Sequence, residues 1–100
     1  MNPFFEDLGR RWTAAAARYE AEIEPPTLAP RVAEELLELA RVAAHTQERR
    51  FAPLACFTAG VAAERLRTSR PDLDDDALAA CIREVRTAIE ADDEVHAATR

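Results

Sequence analysis

Alanine is the residue that most constrains how this chain can fold. The sequence holds 22 alanines and only two glycines among its 100 residues. Alanine has the highest helix propensity, and its small side chain lets helices approach closely. β-branched residues are scarce and never alternate with polar residues over a strand-length stretch, so no segment is predicted as a strand. The sequence therefore predicts an all-α fold, with residues 1–100 forming a single helical domain.

Prolines indicate where the helices begin and end. Asn2 followed by Pro3 is typical of a helix start, because Asn caps free N–H groups and proline presets the first helical φ. The first helix must end before Pro25, since a residue that precedes proline is pushed out of the α region. Helices are predicted over about 3–24, 30–49, 54–68 and 74–91, with a frayed tail over 92–100. We expect them to pack as a compact four-helix bundle.

The third predicted helix contains a long uncharged run. No charged residue occurs from Phe51 to Ala63, a run that is too short to span a bilayer. A helix that is apolar on all sides is typical of a buried position, so we expect this nearly all-apolar helix at the centre of the fold. Gly60 costs such a helix about 1 kcal/mol relative to alanine, which favours a close helix–helix crossing at that residue.

Charge and cysteine usage limit the classes of partner. The formal net charge is −6, and all 13 basic residues are arginine. An acidic chain is a poor match for nucleic-acid phosphates or for an anionic membrane surface, so neither is expected as a partner. Cys56 and Cys81 belong to no metal-binding or redox motif and are expected as buried, reduced thiols of a cytoplasmic protein. Glu6 and Asp7 do not fit a signal peptide.

Motifs that carry catalysis or bind metals and cofactors are missing from the sequence. It has no phosphate-binding glycine loop, no HExxH and no GxSxG. The acidic run at 72–76 lacks the glycine and distal glutamate of a calcium loop, and Asp72 or Asp74 is expected to cap the fourth helix instead. Helical hydroxyls are carried by Thr13, Thr46, Thr58, Thr68 and Thr87. Only Thr46 adjoins a histidine, His45, and helical neighbours point about 100° apart. We therefore expect that the chain is not an enzyme and that it binds neither a cofactor nor a metal ion.

Three cationic side chains gather near the turn between the second and third helices. His45 and Arg49 are one helical turn apart and are predicted on one face, and Arg50 follows. With the nearby N-terminus of the third helix, they could hold a carboxylate or phosphate. The alternative is structural: a cationic last turn favoured by the helix dipole, with His45 hydrogen-bonded across the connection.

The first helix carries four of the six aromatic residues of the chain, namely Phe4, Phe5, Trp12 and Tyr19. Core packing would explain a stripe of this kind. The alternative is a contact with a second copy or a protein partner, because tryptophan and tyrosine are favoured at interfaces.

The segment Leu36–Ala63 carries a recognisable pattern, made of Leu36, Leu39, Ala40, Arg41, Ala44, His45, Arg49, Ala52, Pro53, Phe57 and Gly60. In this pattern the segment resembles an uncharacterised actinobacterial family of helical domains. Members of that family are found beside, or fused to, molybdenum-cofactor guanylyltransferases. The segment departs from the family pattern at Arg50, where the family has proline. The resemblance implies a small helical module that acts with molybdenum-cofactor nucleotide metabolism, with a guanylyltransferase as its protein partner.

These observations favour a noncatalytic protein-interaction or accessory module, with a homodimer through the first helix as one form of the interaction. The alternative is an anion- or nucleotide-binding domain centred on His45, Arg49 and Arg50.

Overall fold

Four helices account for most of the chain. The structure is a computed structural model that describes residues 2–98, and its helices are α1 (Pro3–Ala17), α2 (Pro30–Thr46), α3 (Phe51–Ser69) and α4 (Asp75–Ala98). No strand occurs in residues 2–98. The prediction of an all-α chain with four helices is confirmed.

Helix starts follow the capping chemistry of the sequence. The Asn2 side chain accepts a hydrogen bond from the Phe4 N–H at 2.8 Å, with Pro3 as the first helical residue. Asp74 plays the same part for α4, because its carboxylate accepts a hydrogen bond from the Ala77 N–H at 2.9 Å. Both side chains satisfy N–H groups that have no partner within the helix. The predicted caps at Asn2 and Asp74 are confirmed.

The end of α1 differs from the prediction, because the helix stops at Ala17 and does not reach residue 24. Glu20 takes a φ of 57° and donates its N–H to the Ala17 carbonyl, while the Ala21 N–H reaches back to the Ala16 carbonyl. This pair of bonds is the pattern of a Schellman motif, which usually places glycine at the left-handed residue. The motif reverses the chain before Pro25.

The reversed segment packs back onto α1 at Gly9. A Cβ atom at Gly9 would lie 2.9 Å from the Pro26 carbonyl oxygen and 3.5 Å from the Pro25 Cβ. Gly9 is the buried residue of α1. Glycine is needed here because the approaching group is backbone, which cannot move aside as a flexible side chain can. α1 is thereby held against the segment that leads into α2.

The core lies between α2 and α4. α2 packs against both α3 and α4, while α3 and α4 touch each other much less. The buried hydrophobic residues are Leu39, Val42, Ala43, Leu78, Ala79 and Ile82. α3 contributes none of them. The prediction that α3 is the buried centre is wrong: its lack of charge does not bring enough neighbours to cover it, and α2 takes the central place.

Gly60 also differs from its prediction. Among residues 2–98, no atom other than the nearby backbone of α3 itself lies within 4 Å of the position that a Cβ would occupy there, so the expected close helix–helix crossing is not observed.

α1 stands apart from the other helices. No Cα atom of α1 lies within 8 Å of a Cα atom of α2, α3 or α4. The described molecule measures 52 × 31 × 25 Å and has a radius of gyration of 15.8 Å, against about 13 Å for a compact 100-residue domain. α4 continues to Ala98, so the fraying predicted from residue 92 is wrong as far as Ala98, and residues 99 and 100 lie outside the described part.

Candidate protein-interaction surfaces

The first candidate surface is the aromatic face of α1 and the turn that follows it, defined here as Phe4, Phe5, Trp12 and Tyr19. Phe4 and Phe5 meet edge to face, with ring centroids 5.1 Å apart. Trp12 and Tyr19 line a shallow hollow together with Ile23 and Pro26. α1 supplies Trp12, the turn after it supplies Tyr19, and the reversed segment supplies Ile23 and Pro26.

Most of this aromatic face is exposed to solvent. The exposed fractions are 63% for Phe4, 39% for Phe5, 53% for Trp12 and 85% for Tyr19. With about 200 Å² for each aromatic side chain, roughly 500 Å² of aromatic surface remains in water. A stable protein interface buries about 800 Å² per partner, so the four residues supply more than half of one. Core packing, the competing explanation for the stripe, does not cover these side chains.

Charges on α1 are paired with each other. Asp7 accepts a hydrogen bond from Arg11 Nε at 2.7 Å and lies 3.7 Å from Arg10. The hydrogen bond from Arg11 and its positive charge lower the pKa of the Asp7 carboxyl, and the hydrogen bond to Asp7 and its negative charge raise the pKa of Arg11. With Glu6 included, the two acidic and two basic residues of α1 cancel. The helix presents an aromatic face without a net charge.

A second apolar surface is the cleft between α3 and α4. It has a volume of about 310 Å³, and Leu39 of α2 lies among its lining residues. The α3 wall is mainly alanine, and the α4 wall runs from Leu78 to Ile89. No charged side chain is among the lining residues. The cleft exists because α3 and α4 both pack on α2 and diverge from each other.

The outer face of α3 is a third, shallower surface. Leu54 and Phe57 are exposed there, and Phe57 lines a broad depression beside Gly60 and Val61. Cys56 lies at the edge of this depression and contacts the Leu36 carbonyl, with its Sγ atom 3.5 Å from the oxygen. Burial raises the pKa of the Cys56 thiol. Glu64 and Arg65 border the depression, so it is less uniformly apolar than the cleft.

Comparison with known proteins places the chain in a family. The model of the domain of unknown function DUF6457 matches residues 6–97. The chain belongs to the DUF6457 family. No curated protein and no solved structure gives a significant match. The match begins within α1 and ends within α4, so it includes Trp12, Tyr19 and the cleft, whereas Phe4 and Phe5 precede it.

The predicted anion site of this DUF6457 domain does not lie on a single helix. α2 ends at Thr46, and Gln47 leaves the helical region with φ −126° and ψ −106°. His45 and Arg49 are therefore not one turn apart on a single helix, so that part of the prediction is wrong. Both side chains are exposed. The ligand hypothesis itself stays a prediction.

Arg50, the third residue of that predicted site, is occupied by its neighbours. Its guanidinium lies 3.4 Å from a Glu48 carboxylate oxygen and 5.9 Å from the centre of the Phe51 ring. An exposed ion pair of this kind contributes little to stability. The pair does place the Glu48 carboxylate beside Arg50, the side chain that would have to attract an anion.

Aspartates of the DUF6457 acidic run have separate partners. Asp72 forms two hydrogen bonds with Arg70, at 2.8 and 2.7 Å. These bonds lower the pKa of Asp72 and raise the pKa of Arg70. Asp75 lies 3.3 Å from Arg67, and Asp76 lies 3.6 Å from Arg31. In residues 2–98 no group of three or more His, Cys, Asp or Glu side chains is arranged to hold a metal ion.

Threonine hydroxyls in the helices are directed at the backbone. Each of the five donates a hydrogen bond to a carbonyl three or four residues earlier: Thr13, Thr46, Thr58, Thr68 and Thr87. A hydroxyl nucleophile requires a base within hydrogen-bond reach. The partner of each hydroxyl is a carbonyl of its own helix.

A charged cluster between α2 and α4 is not predicted from the sequence. Glu35 accepts hydrogen bonds from Arg83 at 3.1 Å and from Arg86 at 3.4 Å, and Arg86 also bonds Glu90 at 2.7 Å. Burial lowers the pKa of Arg86, but the hydrogen bonds and charges of Glu90 and Glu35 outweigh it and raise the pKa overall. The sequence separates Glu35 from Arg86 by 51 positions, so no local pattern predicts the pair.

Within residues 2–98, none of the helices has the length and apolar character needed to cross a bilayer.

Proposed function

We propose that this DUF6457 domain is a noncatalytic protein-interaction module and that the aromatic face of α1 is its contact surface. The observation that carries the proposal is the exposure of Trp12 and Tyr19 on a segment that packs against no other helix. Aromatic side chains of this kind supply a large part of the binding free energy at protein interfaces. The pairing of the threonine hydroxyls with backbone carbonyls supports a role without catalysis.

The protein partner that we propose to test first is a molybdenum-cofactor guanylyltransferase. The support is the resemblance of Leu36–Ala63 to helical domains found beside or fused to these enzymes. Because the chain carries a net charge of −6, a guanylyltransferase that binds it should offer an apolar surface without strong negative charge.

The experiment compares the wild-type chain with a Trp12→Ala, Tyr19→Ala double variant. The tagged proteins are isolated from their own host, and binding to purified guanylyltransferase is measured by isothermal titration calorimetry. Loss of two aromatic contacts at an interface is expected to weaken binding by about 30-fold or more. The matched control is Ala14→Gln, an exposed position half a turn round α1 from Trp12.

The double variant should keep its helix content by circular dichroism and lose its partner, while Ala14→Gln should keep both. A double variant that retains every partner of the wild type would show that the aromatic face does not mediate binding.

A further inference from the structure

We propose that the partner of the aromatic face is a second copy of this chain: α1 of one copy lies in the α3–α4 cleft of the other, and the exchange is reciprocal. This inference rests on the proposed function, because it concerns the same surface, for which a guanylyltransferase would compete with the second copy. Two observations motivate it. Each chain carries a helix that lacks a packing partner, and a three-helix core with a cleft of about 310 Å³ between two of its helices.

The cleft has the geometry of a missing fourth helix. α3 and α4 both lie against α2 and diverge from each other, so a helix placed between them would complete a four-helix bundle. About ten water molecules would fill a volume of this size, at ~30 Å³ each. Because the walls are apolar, with Val85 and Ile89 on one side and alanines on the other, those waters are favourably displaced by side chains.

Length and size match between α1 and the cleft. Along α4 the cleft extends from Leu78 to Ile89, which is about 17 Å at 1.5 Å per residue. The apolar face of α1 from Phe5 to Ala16 has the same length of about 17 Å. The small alanine side chains of the α3 wall leave room for the large aromatic side chains that α1 exposes.

Charge also favours α1 as the occupant. The segment 30–98 contains nine arginines against fourteen aspartates and glutamates, a net charge of −5. A negatively charged helix would be repelled by this segment of the receiving copy. α1 is neutral, because Glu6 and Asp7 balance Arg10 and Arg11, and no charged side chain lines the cleft that would receive it.

Within one chain, α1 is held away from the cleft. Its Gly9 packs against Pro25 and Pro26, and α2 begins shortly afterwards at Pro30. With that contact in place, only residues 27–29 connect the α1 unit to α2, and α1 lies against neither α3 nor α4 of its own chain. A reciprocal exchange keeps that contact and covers both apolar surfaces in both copies, as a twofold-symmetric interface does.

The area is in the range of a specific dimer interface. Each of the two contacts would cover roughly 500 Å² of aromatic surface, so the two contacts together bury roughly 1,000 Å² on the α1 side. An interface that buries about 1,000 Å² or more is large enough to be specific.

The first test is sedimentation velocity combined with the fluorescence of Trp12, the single tryptophan of the chain. The wild type should sediment as a dimer, and its emission should shift to shorter wavelength as the concentration rises and Trp12 becomes buried. Val85→Arg introduces an unpaired charge into the cleft and should raise the dimer dissociation constant about 100-fold or more. Thr87→Arg, an exposed position on the same helix, should change it less than about threefold.

The second test is cross-linking in a Cys56→Ser background, which leaves Cys81 in the cleft as the single natural cysteine. With Phe5→Cys or Ala15→Cys, one at each end of the α1 face, a short bis-maleimide should join two chains through Cys81. Ala14→Cys, on the opposite side of α1, should give no such product, and Cys81→Ser should abolish it.

The outcomes separate this inference from the proposed function. A monomer at all concentrations, or a dimer that survives Val85→Arg but is lost in Phe57→Arg, overturns the exchange through the cleft. If that monomer still binds a guanylyltransferase through Trp12 and Tyr19, the proposed function stands and only the second copy is wrong. If the Trp12→Ala, Tyr19→Ala variant loses neither self-association nor any partner, both proposals fail.

Discussion

The two glycines of the chain offer a paired test of the structure. Gly60 lies in α3, and nothing is within 4 Å of the position of an added Cβ. Alanine at this position gains the full helix-propensity difference, about 1 kcal/mol, without a steric cost. Gly60→Ala should therefore raise the free energy of unfolding by about 0.5–1 kcal/mol. For a domain of this size, Tm rises by roughly 4–8 °C per kcal/mol, so the Tm of Gly60→Ala should be roughly 2–8 °C higher than that of the wild type.

Gly9→Ala gains the same propensity but meets an obstacle. Its Cβ would lie 2.9 Å from the Pro26 carbonyl oxygen, so the backbone must shift. Overpacking of this kind costs about 1–3 kcal/mol, which leaves a net change between zero and a loss of about 2 kcal/mol. Because Trp12 and Pro26 line the same hollow, the displaced segment should also change the fluorescence of Trp12.

Thermal and urea denaturation followed by circular dichroism would measure both variants. Gly60→Ala is expected to be the more stable of the two variants, and Gly9→Ala is expected to be the one with altered Trp12 fluorescence. If Gly60→Ala lost stability, another backbone or side chain would have to approach Gly60, and the open outer face of α3 would be refuted. If Gly9→Ala gained about 1 kcal/mol and kept the wild-type fluorescence, the packing of Pro26 on α1 would be refuted.

Three further predictions concern the core, a thiol and the turn between α2 and α3. Leu78 is 1% exposed, so Leu78→Ala should lower the free energy of unfolding by about 2–5 kcal/mol; a loss below ~1 kcal/mol in urea denaturation would contradict its place in the core. Burial raises the pKa of Cys56, so less of its thiolate is present at neutral pH. Alkylation of Cys56, measured by mass spectrometry, should therefore be slower than that of an exposed cysteine and should accelerate as the pH rises. If the turn after α2 binds an anion, inorganic phosphate should raise the Tm of the wild type but not of Arg49→Ala, and the absence of any shift would remove that hypothesis.

Local chemistry explains the parts of the fold that the sequence predicts well. Asn2 and Asp74 cap their helices through interactions that span two or three residues, and such interactions depend on neighbouring residues alone. Proline also acts locally, so the start of α2 at Pro30 is predicted correctly, but the predicted start of α3 at residue 54 is wrong because α3 begins at Phe51, before Pro53. The aromatic face of α1 was also visible in the sequence, because residues at helical spacing share a face.

Features that depend on distant residues were predicted poorly. α1 ends early because the chain reverses at Glu20 and brings Pro26 to Gly9, and the sequence holds no glycine at the reversal to signal it. The lack of charge in α3 favoured a central position, yet burial depends on how many neighbours surround a helix. The sequence does not state that α3 packs mainly on α2, nor that Glu35 pairs with Arg86 across 51 positions.

The placement of the core has a consequence for the order in which the chain gains structure. α2 and α4 hold every buried hydrophobic residue among those described, although α3 lies between them in the chain. Bringing Leu39 to Leu78 requires closure of a loop that contains all of α3, and the entropy of that closure is offset only when α2 and α4 meet. α2 and α4 then form the cooperative folding unit, and α3 docks on it. The free energy needed to open α3 locally is therefore smaller than the free energy needed to unfold α2 and α4. Amide hydrogens of α3 should exchange before those of α2, and each local opening of α3 also opens the cleft that α3 lines.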